Sequence, residues 1–138
     1  MRHEIIPNLR YADAPAAIAF LCDAFGFTRH AVYADADDPG LIHHAQLLWQ
    51  DRMVMISSAV ASEHVSKAGM LTSAEAGGTT MGLYLTVEDV DAHAERARAA
   101  GARIFAEPVD QPYGGRGYSA HDPEGYSWSF GSYDPWAD

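Results

Sequence analysis

Along this chain the hydrophobic and polar positions change period in an order that occurs twice. Residues 4–11 alternate as a strand does. From 14 to 25, Ile18, Leu21, Cys22 and Phe25 recur on one helical face, with Asp13 placed to cap the first turn. Pro15 is tolerated in that turn, and Gly26 can supply the left-handed stop. Residues 27–34 read as a strand that ends in the polar run 35–40. Runs 43–49 and 53–58, separated by Gln50, Asp51 and Arg52, predict a hairpin. Residues 61–78 are small and without clear period, and predict a linker with one helical turn. The order then starts again. Residues 81–87 predict a strand, 89–100 a helix with Val90, Ala94 and Ala97 inward and Gly101 as its stop, and 103–107 a strand. Residues 117–121 and 126–131 predict a hairpin across Asp122-Pro123-Glu124-Gly125.

The repetition is visible residue by residue. Leu9-Arg10-Tyr11-Ala12-Asp13 lies 76 positions before Leu85-Thr86-Val87-Glu88-Asp89, each a strand end followed by a helix start. The expected fold class is α+β, built from two tandem βαβββ modules that form a curved, half-open mixed sheet around a cleft. One domain spans 1–138, with module one at about 1–60, a linker at about 61–78 and module two at about 79–138.

Charge narrows the partners. Nine Lys and Arg face 19 Asp and Glu, a formal charge of −10, while 48% of residues are hydrophobic as in an ordinary core. Nucleic acid and anionic membranes are bound through basic groups, so neither is an expected partner. A lone Cys22 rules out an internal disulfide and points to a reducing, cytoplasmic setting. No stretch approaches the ~20 apolar residues of a spanning helix, and residues 1–10 lack an apolar signal core.

The paired βαβββ order carries a resemblance, together with the helix closed by Ala24-Phe25-Gly26-Phe27 and the segment from Tyr113 to Phe130 with its Asp-Pro-Glu-Gly turn. Across essentially the whole chain it is similar to the glyoxalase/bleomycin-resistance/extradiol-dioxygenase superfamily, the vicinal oxygen chelate fold. Catalytic members hold a divalent metal through His, Gln or Glu at four inward strand positions. Carried over by local pattern, those positions fall on Ile6, Ile56, Gly82 and Ser129. Two alkyl groups, a glycine and a neutral hydroxyl cannot hold such an ion, so no metal and no other cofactor is expected. A lyase, isomerase or dioxygenase with a displaced metal site is the alternative.

No other catalytic constellation stands out. His43 and His44 are adjacent, which on a strand sends their rings to opposite faces, and His30 and His93 occupy surface-type positions. Cys22 sits on the buried face of its helix. Gly114-Gly115-Arg116-Gly117 precedes a strand and lacks the Lys-Ser/Thr ending of a phosphate loop.

Alternation then assigns a cleft wall. A four-residue turn would pair Tyr118 with Ser129, and a three-residue loop would set Gln46 against Ile56. The predicted ligand-binding residues are Asn8, His44, Gln46, Leu48, Ile56, Tyr84, Arg116, Tyr118 and Ser129. An apolar wall with a few polar groups suits a small organic ligand. The resemblance further implies a homodimer, with Tyr133 and Trp136 of the tail as docking aromatics.

Overall fold

The computed structural model describes residues 1–137 and repeats one topology twice. Module one runs β1 (Asn8–Tyr11), α1 (Ala14–Phe20) with a wider π-helical turn at Leu21–Phe25, β2 (Thr28–Ala34), β3 (Ile42–Trp49) and β4 (Arg52–Ser58). The linker holds two short helices, α2 (Glu63–Ala68) and α3 (Ser73–Ala76), where a single turn was expected. Module two runs β5 (Gly82–Thr86), α4 (Val90–Ala99), β6 (Arg103–Asp110), β7 (Arg116–His121) and β8 (Ser127–Gly131). The sheet orders are β1-β4-β3-β2 and β5-β8-β7-β6, with β1 parallel to β4 and β5 parallel to β8.

The helix signals act as read. The Asp13 carboxylate accepts from Ala16 N at 3.1 Å and that of Asp89 from Ala92 N at 3.0 Å. Gly26 closes the π turn at φ 89°, a conformation that costs a side-chain-bearing residue.

Each sheet turns its helix-covered face to one shared core. Phe25, fully buried, stands 4.7 Å from Phe130 and 5.6 Å from Trp128 between ring centroids, so a module-one residue fills the core of module two. Arg96 of α4 donates to the Cys22 and Asp23 carbonyls at the end of the π turn. With the helices between them, the two sheets present their other faces outward. Each half of the expected cleft therefore lies on its own sheet.

Two hairpins differ in register from expectation, each by one residue. The first turns on Gln50 and Asp51 alone, with Gln50 left-handed at φ 52°, and pairs Gln46 with Met55 and Ala45 with Ile56. In the second, Asp122 is drawn into the loop: its N–H donates to the Tyr126 carbonyl, and its carboxylate accepts from Glu124 N and Tyr126 N. The loop thus holds five residues, pairing His121 with Ser127, Ser119 with Ser129 and Tyr118 with Phe130. A one-residue slip exchanges the faces of a strand. Tyr118 is consequently 2% exposed in the core. Ile56, a position carried over from the family pattern, is 0% exposed there, one residue from Met55, which faces outward beside Gln46.

His93 also departs from its expected surface place. Its Nε2–H donates to the Phe25 carbonyl (2.8 Å), which leaves Nδ1 to accept the Tyr118 hydroxyl (2.6 Å). The bond from Tyr118 requires the neutral ring, because a protonated imidazole has no acceptor nitrogen. Burial lowers the imidazole pKa from its usual 6.5, and the charge of Arg96 acts in the same direction against the Phe25 hydrogen bond. Burial likewise pushes the Tyr118 phenol far up, so it stays a donor. The folded chain binds this proton less readily than the unfolded chain. The stabilisation is complete above pH ~6.5 and falls as the pH drops below it. Urea midpoints measured between pH 7.5 and 5 should fall more steeply for the parent than for His93→Gln, and equal slopes would refute the assignment.

Candidate functional site

The outward face of module one is built by alternation against the buried Leu9, Val54 and Ile56. It carries Asn8 and Arg10 from β1, Met53, Met55 and Ser57 from β4, and His44, Gln46 and Leu48 from β3. On it, Gln46 Nε2 and His44 Nε2 lie 3.2 Å apart, and Tyr33 of β2 stacks on the His44 ring at 6.2 Å. Four of the expected wall residues, Asn8, His44, Gln46 and Leu48, therefore share this face.

Module two presents a second, separate wall. Gly82, Tyr84, Ser119 and Ser129 face outward, with the two serine hydroxyls 2.7 Å apart. A depression of about 360 Å³ lies over them, bordered by Val109, Tyr113 and Tyr133. The Tyr84 hydroxyl donates to the Tyr133 carbonyl at 2.8 Å, and the Tyr113 ring meets Tyr133 edge-on at 5.2 Å. The tail thus folds an aromatic rim over the sheet. Gly131 makes this geometry accessible, because a Cβ there would stand 2.7 Å from the Tyr84 hydroxyl. Burial raises the Tyr84 phenol, so at neutral pH it is a proton donor. Trp136 extends beyond the rim, 92% exposed.

Three expected ligand contacts need correction. Ile56 and Tyr118 lie in the core, for the reasons above. Arg116 borders the depression, but its guanidinium is committed: Nε and Nη2 donate to the two Asp91 oxygens at 2.9 and 3.1 Å, and Nη1 to Asp110 at 3.1 Å. That fork holds Asp91 below the usual carboxylate range and Arg116 above its own. Tyr84 and Ser129 keep their expected place.

The positions where a metal would be held do not suit one. Ile6 precedes β1, Ile56 is in the core, and the outward residue beside Asn8 is Met55. Gly82 and Ser129 add no charge and no imidazole. Among the described residues no three His, Cys, Asp or Glu side chains stand together as a metal would need. His43 pairs with Asp35 at 2.9 Å, away from the His44–Gln46 contact. Burial raises the Cys22 thiol, which makes it a poor nucleophile. A broader groove of about 1250 Å³ is lined by residues of both modules, among them Trp49, Met53, Leu85 and Trp136.

The model of the Glyoxalase/Bleomycin resistance protein/Dioxygenase superfamily matches residues 5–130. The chain belongs to this superfamily. Among its relatives is an uncharacterized protein of Mycobacterium tuberculosis, Rv0887c, 35% identical over 125 residues that cover 91% of this chain and 71% of that one. TioX from Micromonospora sp. ML1 is similar in structure, with TM-score 0.72, 30% identity and coverage of 94% and 98% of the two chains. The fosfomycin resistance protein FosX of Listeria monocytogenes shares the fold, with TM-score 0.68 and 14% identity over 98% of this chain and 96% of its own. Among the described residues of this superfamily member, no helix is long and apolar enough to cross a membrane.

Sequence reading missed Met53, Met55, Ser57 and Ser119 as outward residues, and Tyr113 and Tyr133 as a rim. The available signals were the five-residue loop begun by Asp122 and the alternation of Met53, Met55 and Ser57 against Val54, Ile56 and Ser58.

Proposed function

We propose that this superfamily member binds a small organic ligand, an antibiotic or a metabolite, without a resident metal. The observation behind this reading is the donor set. Where catalytic relatives would place His, Gln or Glu, this chain has Met55, Gly82 and Ser129 beside an aromatic and thioether wall. Ligand would lie against Tyr84 and the Tyr113–Tyr133 rim, with the Ser119 and Ser129 hydroxyls as polar partners. Gln46, Leu48, Met55 and Asn8 form the facing wall.

Within one chain those walls lie on sheets turned away from each other. A second copy would complete each trough, with module one of one copy over module two of the other, and a two-fold axis would make two equivalent sites. Exposed Tyr33, Tyr84, Phe105 and Val109 on the sheets support this homodimer. Light scattering that finds only a 15.0 kDa chain at tens of micromolar would refute it. The reading places the protein in the cytoplasm, where a lone Cys22 stays reduced.

The test is a thermal-shift screen across antibiotics and metabolites. A ligand that stabilises the parent should bind about 10-fold or more weakly to Tyr84→Ala and to Met55→Glu, since each removes or charges a ligand-facing surface worth about 1.5–3 kcal/mol. Unchanged affinity in both variants would reject the site.

A further inference from the structure

Arg10 is the one buried cation among the described residues, 6% exposed, and no carboxylate lies within ion-pair distance of it. It sits on the outward side of β1, opposite Ser57, where the linker folds over it. Its guanidinium hydrogen-bonds only to neutral groups, Nη2 to the Val60 carbonyl at 2.8 Å and Nη1 to the Met70 carbonyl at 3.3 Å, while the Glu75 carboxylate feels its charge from beyond ion-pair distance. Five N–H donors are available on such a group, and Nε makes no hydrogen bond in the fold. The nearby acids are engaged elsewhere. Glu75 accepts from Thr72 N at 2.7 Å to cap α3, and Asp122 is held by Tyr11 and Trp128. A buried charge left with so little compensation is unusual, above all in a chain of net charge −10.

The same residue lines a cavity of about 340 Å³ between β1, the linker and the start of β5. Asn8, Thr72 and Thr79 add neutral polar groups, while Leu71, Met81 and Leu83 make the rest of the lining apolar. We propose that the Arg10 pocket binds a small amphipathic monocarboxylate, its carboxylate on the guanidinium and its apolar body along Leu71, Met81 and Leu83. A guanidinium matches a carboxylate in a planar fork, and the pairing would supply the missing countercharge. A single cation beside Glu75 suits one negative charge better than the two of a phosphate ester. The volume, at the small end of ligand sites, limits the body to that of a short-chain or single-ring acid. This pocket needs neither the sheet-face ligand nor a second copy; Asn8 borders both sites, and Tyr84, which borders only the sheet-face site, separates the two readings.

Octanoate and its neutral isostere octanamide serve as probes in calorimetric titrations of the full chain. Octanoate should bind one per chain, and octanamide at least about 10-fold more weakly, the effect of losing charge-assisted hydrogen bonds. Arg10→Met should abolish the preference, though it also removes the linker's hydrogen bonds. Asn8→Asp is the sharper variant. It places a carboxylate two residues along the same strand face, leaves the Val60 and Met70 bonds intact, and should hold or raise the melting temperature while weakening octanoate at least about 10-fold. Tyr84→Ala should leave octanoate binding unchanged. Failure of octanoate to bind at millimolar concentration, equal binding of octanamide, or full binding by Asn8→Asp would each overturn the proposal.

Discussion

Replacing Asp122 with Ala should destabilise the chain by about 3–5 kcal/mol, the cost of removing one side of a buried charged network. The carboxylate is 2% exposed and has no cationic partner within ion-pair distance. It is held by four donors instead: Tyr11 OH at 2.6 Å, Trp128 Nε1 at 3.0 Å, Glu124 N at 3.0 Å and Tyr126 N at 3.1 Å. Tyr11 and Trp128 are fully buried, so without Asp122 their polar atoms would have no replacement from solvent. The loss reaches beyond one loop. Tyr11 belongs to module one and Trp128 to module two, and Glu124 of the same turn accepts from Ala12 N and Asp13 N at 2.6 and 2.9 Å. The turn clasps the start of α1 to the second sheet. Against a total stability of about 5–15 kcal/mol, the variant should melt roughly 10–20 °C lower. Asp122→Asn, which keeps an acceptor oxygen, should lose about half as much stability. Urea denaturation placing Asp122→Ala within about 1 kcal/mol of the parent would contradict this account.

Phe25→Ala should have a similar effect by another route, about 3–5 kcal/mol from lost apolar contact and the cavity left behind. The ring is fully buried and stands within aromatic contact of Phe20, Trp128 and Phe130, with centroids 5.2, 5.6 and 4.7 Å away. It is the module-one side chain that completes the second core. Phe25→Leu should lose only about 1–2 kcal/mol, since most of the volume remains. Near-ultraviolet circular dichroism should show the local loss, because Trp128 packs directly on this ring. A Phe25→Ala protein with parental midpoint and parental aromatic signal would remove the residue from that role.

The fold was legible because it is written in short-range signals. Asp13 and Asp89 mark helix starts by accepting first-turn amides, Gly26 and Gly101 mark their ends, and the duplicated order constrains the topology. Strand alternation alone carried much of the site geometry: Asn8, His44, Gln46, Leu48, Tyr84 and Ser129 all face outward as expected. Ile56 was misassigned because the position carried over from the family pattern falls one residue from Met55, which faces outward beside Gln46. Tyr118 was misassigned because strand facing depends on loop length to a single residue. In both hairpins a local preference set that length, left-handed Gln50 in one and the Asp122 turn in the other. His93 was misread for a different reason. Its helix face looks polar by sequence, and its ring is taken up by two partners distant in the chain, the Tyr118 hydroxyl and the Phe25 carbonyl of the other module. Arg10 gave no signal of a site in the sequence, because the linker that closes over it has no periodic pattern.

Elemental analysis of the protein purified without chelators tests most directly the proposal that it binds its ligand without a resident metal. The account predicts no transition metal at stoichiometric level after gel filtration, with ligand binding unaltered by added EDTA. One equivalent of nickel, zinc, manganese or iron per chain, retained through gel filtration and lost in a variant of the outward sheet faces, would contradict it.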